Sequence, residues 1–290
     1  MNEKKPVVLI TGCSSGFGYL TALKFARNGW LTFASMRDVE GVGAKELWET
    51  RSRESLPLEL VKIDVGDEIS VKEGVAAVVK KTGRIDVLVN NAGFGYLGPV
   101  EEFSVDEVKS QFETNVFGTL RMVKAVTPLM REGRSGTIIN ISSINGLISF
   151  PLFGVYSSSK FALEALSASL RFELSHFGIK VILVEPGSFL TKFSTNKKHP
   201  VLFAKEGSVY KDLEDQFFPR YQKAYEKVEG SFISRFTNSQ RVADLIFKIS
   251  QEKNPQQRYL IGFDAHLYDW LKKLLPDSVW VWLLHKIYDW

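Results

Sequence analysis

The chain has 290 residues, of which 44% are hydrophobic and 24% charged, the balance of an ordinary soluble globular protein with ample material for a core. Its net charge of +4 is spread thinly, the longest basic runs (Lys4-Lys5, Lys80-Lys81, Lys197-Lys198) being pairs, which excludes the concentrated basic face that nucleic-acid binding needs. A lone cysteine, Cys13, excludes an intrachain disulfide and suits a reducing compartment, and no stretch approaches the ~20 apolar residues of a membrane span.

The opening Met1-Asn2-Glu3-Lys4-Lys5-Pro6 leads into only four strongly apolar residues, Val7 to Ile10, too few for the core of a secretion signal. A cytoplasmic protein is expected. The apolar run is the first predicted strand (6–10). It ends in Thr11-Gly12-Cys13-Ser14-Ser15-Gly16-Phe17-Gly18, and a helix is predicted over 17–28. Glycines between a strand and a helix let the backbone turn tightly and approach a phosphate, while the helix start offers unpaired N–H groups and the positive end of its dipole. The pattern suits the pyrophosphate of a dinucleotide; the plain alternative is an ordinary glycine-rich turn. Cys13 fits there as a small side chain rather than as a redox centre.

The second predicted strand (31–35) runs into Met36-Arg37-Asp38. An NAD site usually places an acid near this point for the ribose 2′-hydroxyl, whereas an arginine suits a 2′-phosphate. Met36 leaves the acidic position empty and Arg37 can grip a phosphate, so NADP(H) is the expected cofactor. Asp38 beside it could neutralise Arg37, and Arg37 could equally be a solvated surface charge.

Five further strands are predicted at 58–63, 86–90, 137–141, 179–184 and 258–261, with helices over 68–81, 104–131, 155–176 and 239–251. Strand–helix alternation argues for βαβ units and a parallel sheet, and strands that are apolar throughout, such as Val181-Ile182-Leu183-Val184, argue for helices on both faces. The expected fold is α/β: a Rossmann-type doubly wound parallel sheet of about seven strands, in one domain spanning 1–290. Two segments break the rhythm. Residues 188–238 are an insertion rich in aromatics (Phe189, Phe193, Phe203, Tyr210, Phe217, Phe218, Tyr221, Tyr225, Phe232, Phe236), and 264–290 is a tail holding four of the six tryptophans.

Tyr156 and Lys160 fall one turn apart on the helix predicted over 155–176, and so share a face. Reducing a ketone needs hydride at carbon and a proton at oxygen. A tyrosine can supply the proton once an adjacent ammonium draws its pKa down from roughly 10 towards neutral. Ser143, thirteen residues before Tyr156 at a strand end, is placed to hydrogen-bond the substrate oxygen, with Ser142 as the competing assignment. The four histidines show no ligand spacing with Cys or acids, and no metal is expected.

These residues together resemble the short-chain dehydrogenase/reductase family, in its branch with the TGxxxGxG loop. The motifs run in family order over residues 6 to about 191: Thr11 to Gly18, Asp64-Val65, Asn90-Asn91-Ala92-Gly93, Asn115-Val116-Phe117-Gly118, Ser142-Ser143, Tyr156 with Lys160, and Pro186-Gly187. The resemblance implies a cofactor set of Gly12, Ser14, Ser15, Gly16, Phe17, Gly18, Arg37, Asp64, Val65, Asn91, Ala92, Gly93, Tyr156, Lys160, Pro186, Gly187 and Thr191. Within it Asp64 and Val65 hold the adenine, Asn91 braces the central strand, and Pro186, Gly187 and Thr191 seat the nicotinamide carboxamide. It also implies that Lys160 bonds the nicotinamide ribose and that Asn115 holds a water linking Lys160 to solvent, completing a catalytic set of Asn115, Ser143, Tyr156 and Lys160. Phe17 departs from the usual small aliphatic.

Leu9 to Gly16 and Ser35-Met36-Arg37-Asp38 look like the 17β-hydroxysteroid and retinol dehydrogenase members of that family. Ser143, Asn145, Phe150, Phe153 and Phe189 are the expected substrate contacts, with Phe94, Tyr96 and Leu147 as further candidates; the set favours a lipophilic or aromatic carbonyl. Many of the insertion's aromatics could instead pack only on its own helices. The expected activity is NADP-dependent hydride transfer between nicotinamide and a ketone, aldehyde or secondary alcohol. The alternatives are an NAD-dependent epimerase or dehydratase and a non-catalytic NADP sensor. Family habit implies a homodimer or homotetramer through the helices at 104–131 and 155–176. In the tail, Leu267, Trp270, Leu271, Leu274 and Leu275 keep helical spacing up to Pro276, and Trp280, Trp282, Leu283, Leu284, Ile287 and Trp290 form a second apolar group. The tail is expected to cover core, pocket or a subunit, rather than to lie on a membrane surface, which Asp264, Asp269, Asp277 and Asp289 oppose.

Overall fold

Residues 5–189, 198–201, 208–213, 217 and 237–288 are described by the computed structural model. Its strands are β1 (Val7–Ile10), β2 (Leu31–Met36), β3 (Leu58–Lys62), β4 (Val87–Asn90), β5 (Gly136–Ile141), β6 (Ile179–Pro186) and β7 (Arg258–Ile261). All pair in parallel, in the order β3-β2-β1-β4-β5-β6-β7. The chain thus winds outward from β1 to β3, crosses back, and winds outward again from β4. Where the order reverses, the loops leaving β1 and β4 diverge and open a crevice at their carboxyl ends.

The helices are α1 (Gly16–Arg27), α2 (Val42–Glu54), α3 (Glu68–Thr82), α4 (Val105–Phe112), α5 (Thr119–Glu132), α6 (Gly154–Ser175), α7 (Gln240–Gln251), α8 (Phe263–Leu274) and α9 (Asp277–Tyr288). Alternation along β1 divides them between two faces. Val8 and Ile10 point into a core with α1, α2 and α7, through Phe25, Leu47 and Ile246; Val7 and Leu9 point into a core with α3, α5 and α6, through Val75, Met122 and Leu174. Each such side chain removed from water contributes about 1.5–3 kcal/mol. A third, smaller cluster sits beyond the sheet's carboxyl edge, where Phe150, Phe153 and Tyr156 meet Ala265 and Trp280 of the tail helices.

Two elements differ from expectation. No helix is legible between Arg37 and Leu58, yet α2 forms there; only Ala44, Leu47 and Thr50 of its 13 residues are buried, too few to mark a periodic stripe. The single helix expected over 104–131 is two, joined by a wide π-helical turn, Glu113–Gly118. Its start is as the sequence suggests: Ser104 and Glu107 form a reciprocal capping box. The widened turn carries Asn115.

Candidate active site

The loop after β1 is built on close backbone approach. Gly12 has φ +71°, and a Cβ there would lie 2.8 Å from Ala92 Cα; a Cβ at Gly18 would run into the Gly12 carbonyl oxygen. Asn91 secures this arrangement: its Nδ2 donates to the carbonyls of Thr11 (2.9 Å) and Gly12 (3.1 Å), while Thr11 Oγ1 accepts from the N–H groups of Asn91 and Ala92, both at 3.0 Å. The two loops that flank the crevice are therefore tied together. At the start of α1, Ser15 makes no side-chain cap, leaving the first N–H groups of the helix for an anion. A glycine cradle that tolerates no Cβ, next to an uncapped helix start, fits a dinucleotide phosphate.

From this loop runs a cleft of about 620 Å³. Gly12, Ser14, Ser15, Gly16 and Phe17 line it, with Arg37 from the end of β2, Asp64 and Val65 after β3, and Asn91, Ala92 and Gly93 after β4. Ser143, Asn145, Phe153, Tyr156, Lys160, Pro186, Gly187 and Phe189 complete it. The sequence-predicted residues thus converge, with exceptions that include Tyr96, clustered with Phe103 and Val155, and Leu147, packed on the third cluster. Gly18 serves the packing of α1 on the loop. Asn115 stands behind the cleft and Phe150 in the third cluster, against Tyr268 (ring centroids 5.1 Å) and Trp280 (6.3 Å). Thr191 lies outside the described residues, as do Phe193, Phe203, Phe218, Tyr221, Tyr225, Phe232 and Phe236. Phe17 joins the two ends of the site, packing edge-on to Phe189 at 5.7 Å. Sequence reading did not single out Lys198 or Ile144, which also line the cleft; Lys198 is held by a bridge to Tyr96, with its ammonium 4.8 Å from the Phe94 ring.

At the catalytic end, Tyr156 and Ser143 are each 8% exposed and hydrogen-bonded to one another. Ser143 Oγ also accepts from the Asn145 N–H at 3.1 Å. Lys160 Nζ donates to the Ile141 carbonyl (2.8 Å) and lies 5.7 Å from the Tyr156 ring centroid. Asn115 reaches this group through a neighbour: its Nδ2 donates to Ser159 Oγ (3.1 Å), which in turn donates to the Tyr156 carbonyl (2.7 Å). Asn115 also holds both backbone groups of Phe94, at 3.2 and 3.0 Å. The wide turn is what lets a side chain from the α4–α5 arm pin the catalytic helix and the cleft wall together.

The electrostatics correct one expectation. Burial pushes the Tyr156 phenol up to about 12, against the opposing hydrogen bond from Ser143, instead of an ammonium drawing it towards neutral. The same burial brings Lys160 down to about 8, opposed by the charge of Glu164. Burial in one pocket disfavours the charged form of each group. Cys13 is wholly buried and its thiol is pushed far above the ordinary range, which leaves it inert.

The comparisons with known proteins agree with this geometry. The profile of the family described as short chain dehydrogenase matches residues 6–201. The chain is 37% identical over 284 residues to a 3-ketodihydrosphingosine reductase of Bacteroides thetaiotaomicron, covering 97% of each chain. It is 37% identical over 256 residues to retinol dehydrogenase 8 of Homo sapiens, covering 87% of this chain and 79% of that one. Among solved structures, a short-chain dehydrogenase from Streptomyces avermitilis superposes with a TM-score of 0.78 at 33% identity, covering 98% of this chain and 96% of that one. ElxO with NADP bound superposes with a TM-score of 0.71 at 28% identity, covering 89% and 97%.

Proposed function

Because this chain belongs to the short-chain dehydrogenase family and is an oxidoreductase of that kind, we propose that it uses NADP(H) to interconvert a lipophilic ketone or aldehyde and the corresponding alcohol. The observation that carries the reading is the buried Ser143–Tyr156 hydrogen bond, one helical turn from Lys160, at the end of a cleft whose other end is the glycine cradle. The nicotinamide, when bound, supplies the hydride. Ser143 and the Tyr156 hydroxyl converge on one point, where they hold the substrate oxygen. A phenol kept protonated by burial is a proton donor to that oxygen as charge develops on it. Lys160, still charged near neutrality, steadies the phenolate left behind.

Preference for the 2′-phosphate rests on Arg37. Its neighbour Asp38 is occupied by its own turn, accepting from the Glu40 N–H at 2.9 Å, and among the described residues Arg37 pairs with no carboxylate. The guanidinium at the cleft's edge therefore remains for a phosphate. The substrate end is walled by Phe94, Ile144, Phe153 and Phe189. Ketodihydrosphingosine, retinol and estradiol, the compounds in the names of three relatives, are all largely hydrocarbon with a carbonyl or hydroxyl, and such molecules fit that wall.

The test is oxidation of NADPH and of NADH, followed by absorbance, against a long-chain 3-keto amine, a 17-ketosteroid, retinal and medium-chain aldehydes. Turnover with NADPH well above NADH on at least one apolar carbonyl supports the reading. Preference for NADH removes Arg37 as the selector, and failure with every carbonyl despite saturable NADPH binding removes the proposed substrate class.

A further inference from the structure

Behind the catalytic loop lie two carboxylates with no part in the chemistry above. Glu164 follows Lys160 by one turn of α6 and is 7% exposed; Glu185, in β6 immediately before Pro186, is 0% exposed. Both face Arg258 of β7, which stands 3.1 Å from Glu164 Oε2 and 3.5 Å from Glu185 Oε1. Glu164 Oε1 and both Glu185 oxygens are buried with no ordinary hydrogen-bond donor. The two carboxyls thus crowd one guanidinium in a dry pocket, where each bears on the ionisation of the other. Burial raises both groups, and at Glu185 the charges of Glu164 and of Asp269 on α8 add to it while Arg258 opposes. Two carboxylates sharing one partly exposed guanidinium cannot both ionise at little cost.

The same pair touches the catalytic centre. Glu164 faces Lys160 from the next turn and favours its charged form. Glu164 also packs against the loop: a Cβ at Gly146 would lie 2.7 Å from Ser142 Oγ and 2.9 Å from Glu164 Cγ. The Ser142 N–H in turn donates to the Val184 carbonyl (2.8 Å), next to Glu185.

We infer that Glu164 and Glu185 form a carboxyl–carboxylate pair, sharing one proton, that seats the Ser142–Gly146 loop and keeps Lys160 charged from behind the catalytic helix. They are positioning residues, since neither reaches the cleft. The inference rests on the hydride-transfer reading for the meaning of Lys160, but the existence of the pair does not. Glu164→Gln removes the negative charge nearest Lys160, so burial prevails and the ammonium titrates lower. The charge of Glu164 raises Glu185, so the proton sits on Glu185, and Glu185→Gln leaves Glu164 a carboxylate and the ammonium where it was. Of two substitutions of the same kind, only the first therefore moves the titration of the lysine.

The experiment has two arms. Infrared spectroscopy of the cofactor-free protein near neutral pH reads the protonated-carboxyl stretch, expected in the wild type and lost in Glu164→Gln and in Glu185→Gln. Nitrogen NMR of protein labelled at the lysine ζ-nitrogen, assigned with Lys160→Arg, reads the Lys160 titration, expected about one pH unit lower in the first variant and unchanged in the second. Absence of the stretch in the wild type overturns the inference, and so does a Lys160 titration that Glu164→Gln leaves in place or that both variants lower alike. Neither arm needs turnover, so a protein that reduces no carbonyl would sink the functional reading and leave this one to be decided on its own.

Discussion

The two walls of the cleft are built from different materials. The cofactor wall is backbone: the loop from Thr11 to Gly18, held by Asn91 through carbonyl and N–H contacts, with a glycine where a Cβ would collide with Ala92. The wall proposed for the substrate is side chain: Phe94, Phe153 and Phe189 line the cleft with Tyr156, backed by a cluster in which residues from 144–156 meet Ala265 and Trp280 from more than a hundred positions away. A wall of backbone is dictated by local turns and leaves a fixed motif in the sequence. A wall of side chains depends on which distant segment folds over it, and that can vary while the chemistry stays the same.

The sharpest break between the walls is Tyr156→Phe. Removing one hydroxyl from the substrate wall should lower turnover by about 10²–10⁴-fold. NADPH affinity, measured by fluorescence titration, should stay within about twofold, because the glycine cradle and Arg37 are untouched. Loss of binding together with turnover would mean that the walls are not separable.

The next effect belongs to the cap. Trp280 is 4% exposed and lies 6.3 Å, centroid to centroid, from both Phe150 and Tyr268. Trp280→Ala should cost about 3–5 kcal/mol, read as an early loss of the cap in denaturant unfolding. The dinucleotide wall, packed on the sheet, should keep its NADPH affinity. One face of the tail thus covers core. Its other faces carry Trp270 (57% exposed), Leu274 (61%) and Trp282 (58%), and no helix of the described residues is long and apolar enough to cross a membrane.

That division explains what the sequence made legible. The strands, their parallel pattern and the glycine, Asn91, Ser143, Tyr156 and Lys160 positions are local signals, written in apolar runs and fixed spacings. Phe150 was misplaced because it is six residues from Tyr156 in sequence but turns towards Tyr268 and Trp280, a contact that no local pattern encodes. The wide turn at Glu113–Gly118 was invisible because shifting a few backbone hydrogen bonds leaves the helical spacing of side chains nearly intact. Glu164 and Glu185 belong to no motif in the sequence; only the fold shows them buried beside one guanidinium. The depressed lysine and raised phenol were equally hidden, since desolvation is a property of the assembled pocket.

On the cofactor wall the side chain proposed to select the cofactor is Arg37. Arg37→Ala should reduce the ratio of kcat/KM with NADPH to that with NADH by about 10–100-fold, the worth of one charge-assisted phosphate contact. The loss should fall on the NADPH arm alone. An equal loss with both cofactors would show that Arg37 supports the loop and does not read the 2′-phosphate.

The smallest effect follows from the two titrations at the point where the walls meet. The proposed reduction needs the phenol protonated and the lysine charged. With the phenol at about 12, its proton is present throughout the working range and contributes no limb. With Lys160 at about 8, the ammonium is full at lower pH and is lost as the pH rises through that value. Reductive kcat/KM should therefore be flat in mild acid and fall on the alkaline side. Between one unit below that pKa and the pKa itself, the decline should be about twofold. Lys160→Arg, whose guanidinium does not discharge in this range, should flatten the limb even if it lowers the plateau. A limb that survives in the arginine variant would belong to another group and would separate the pH dependence from the lysine.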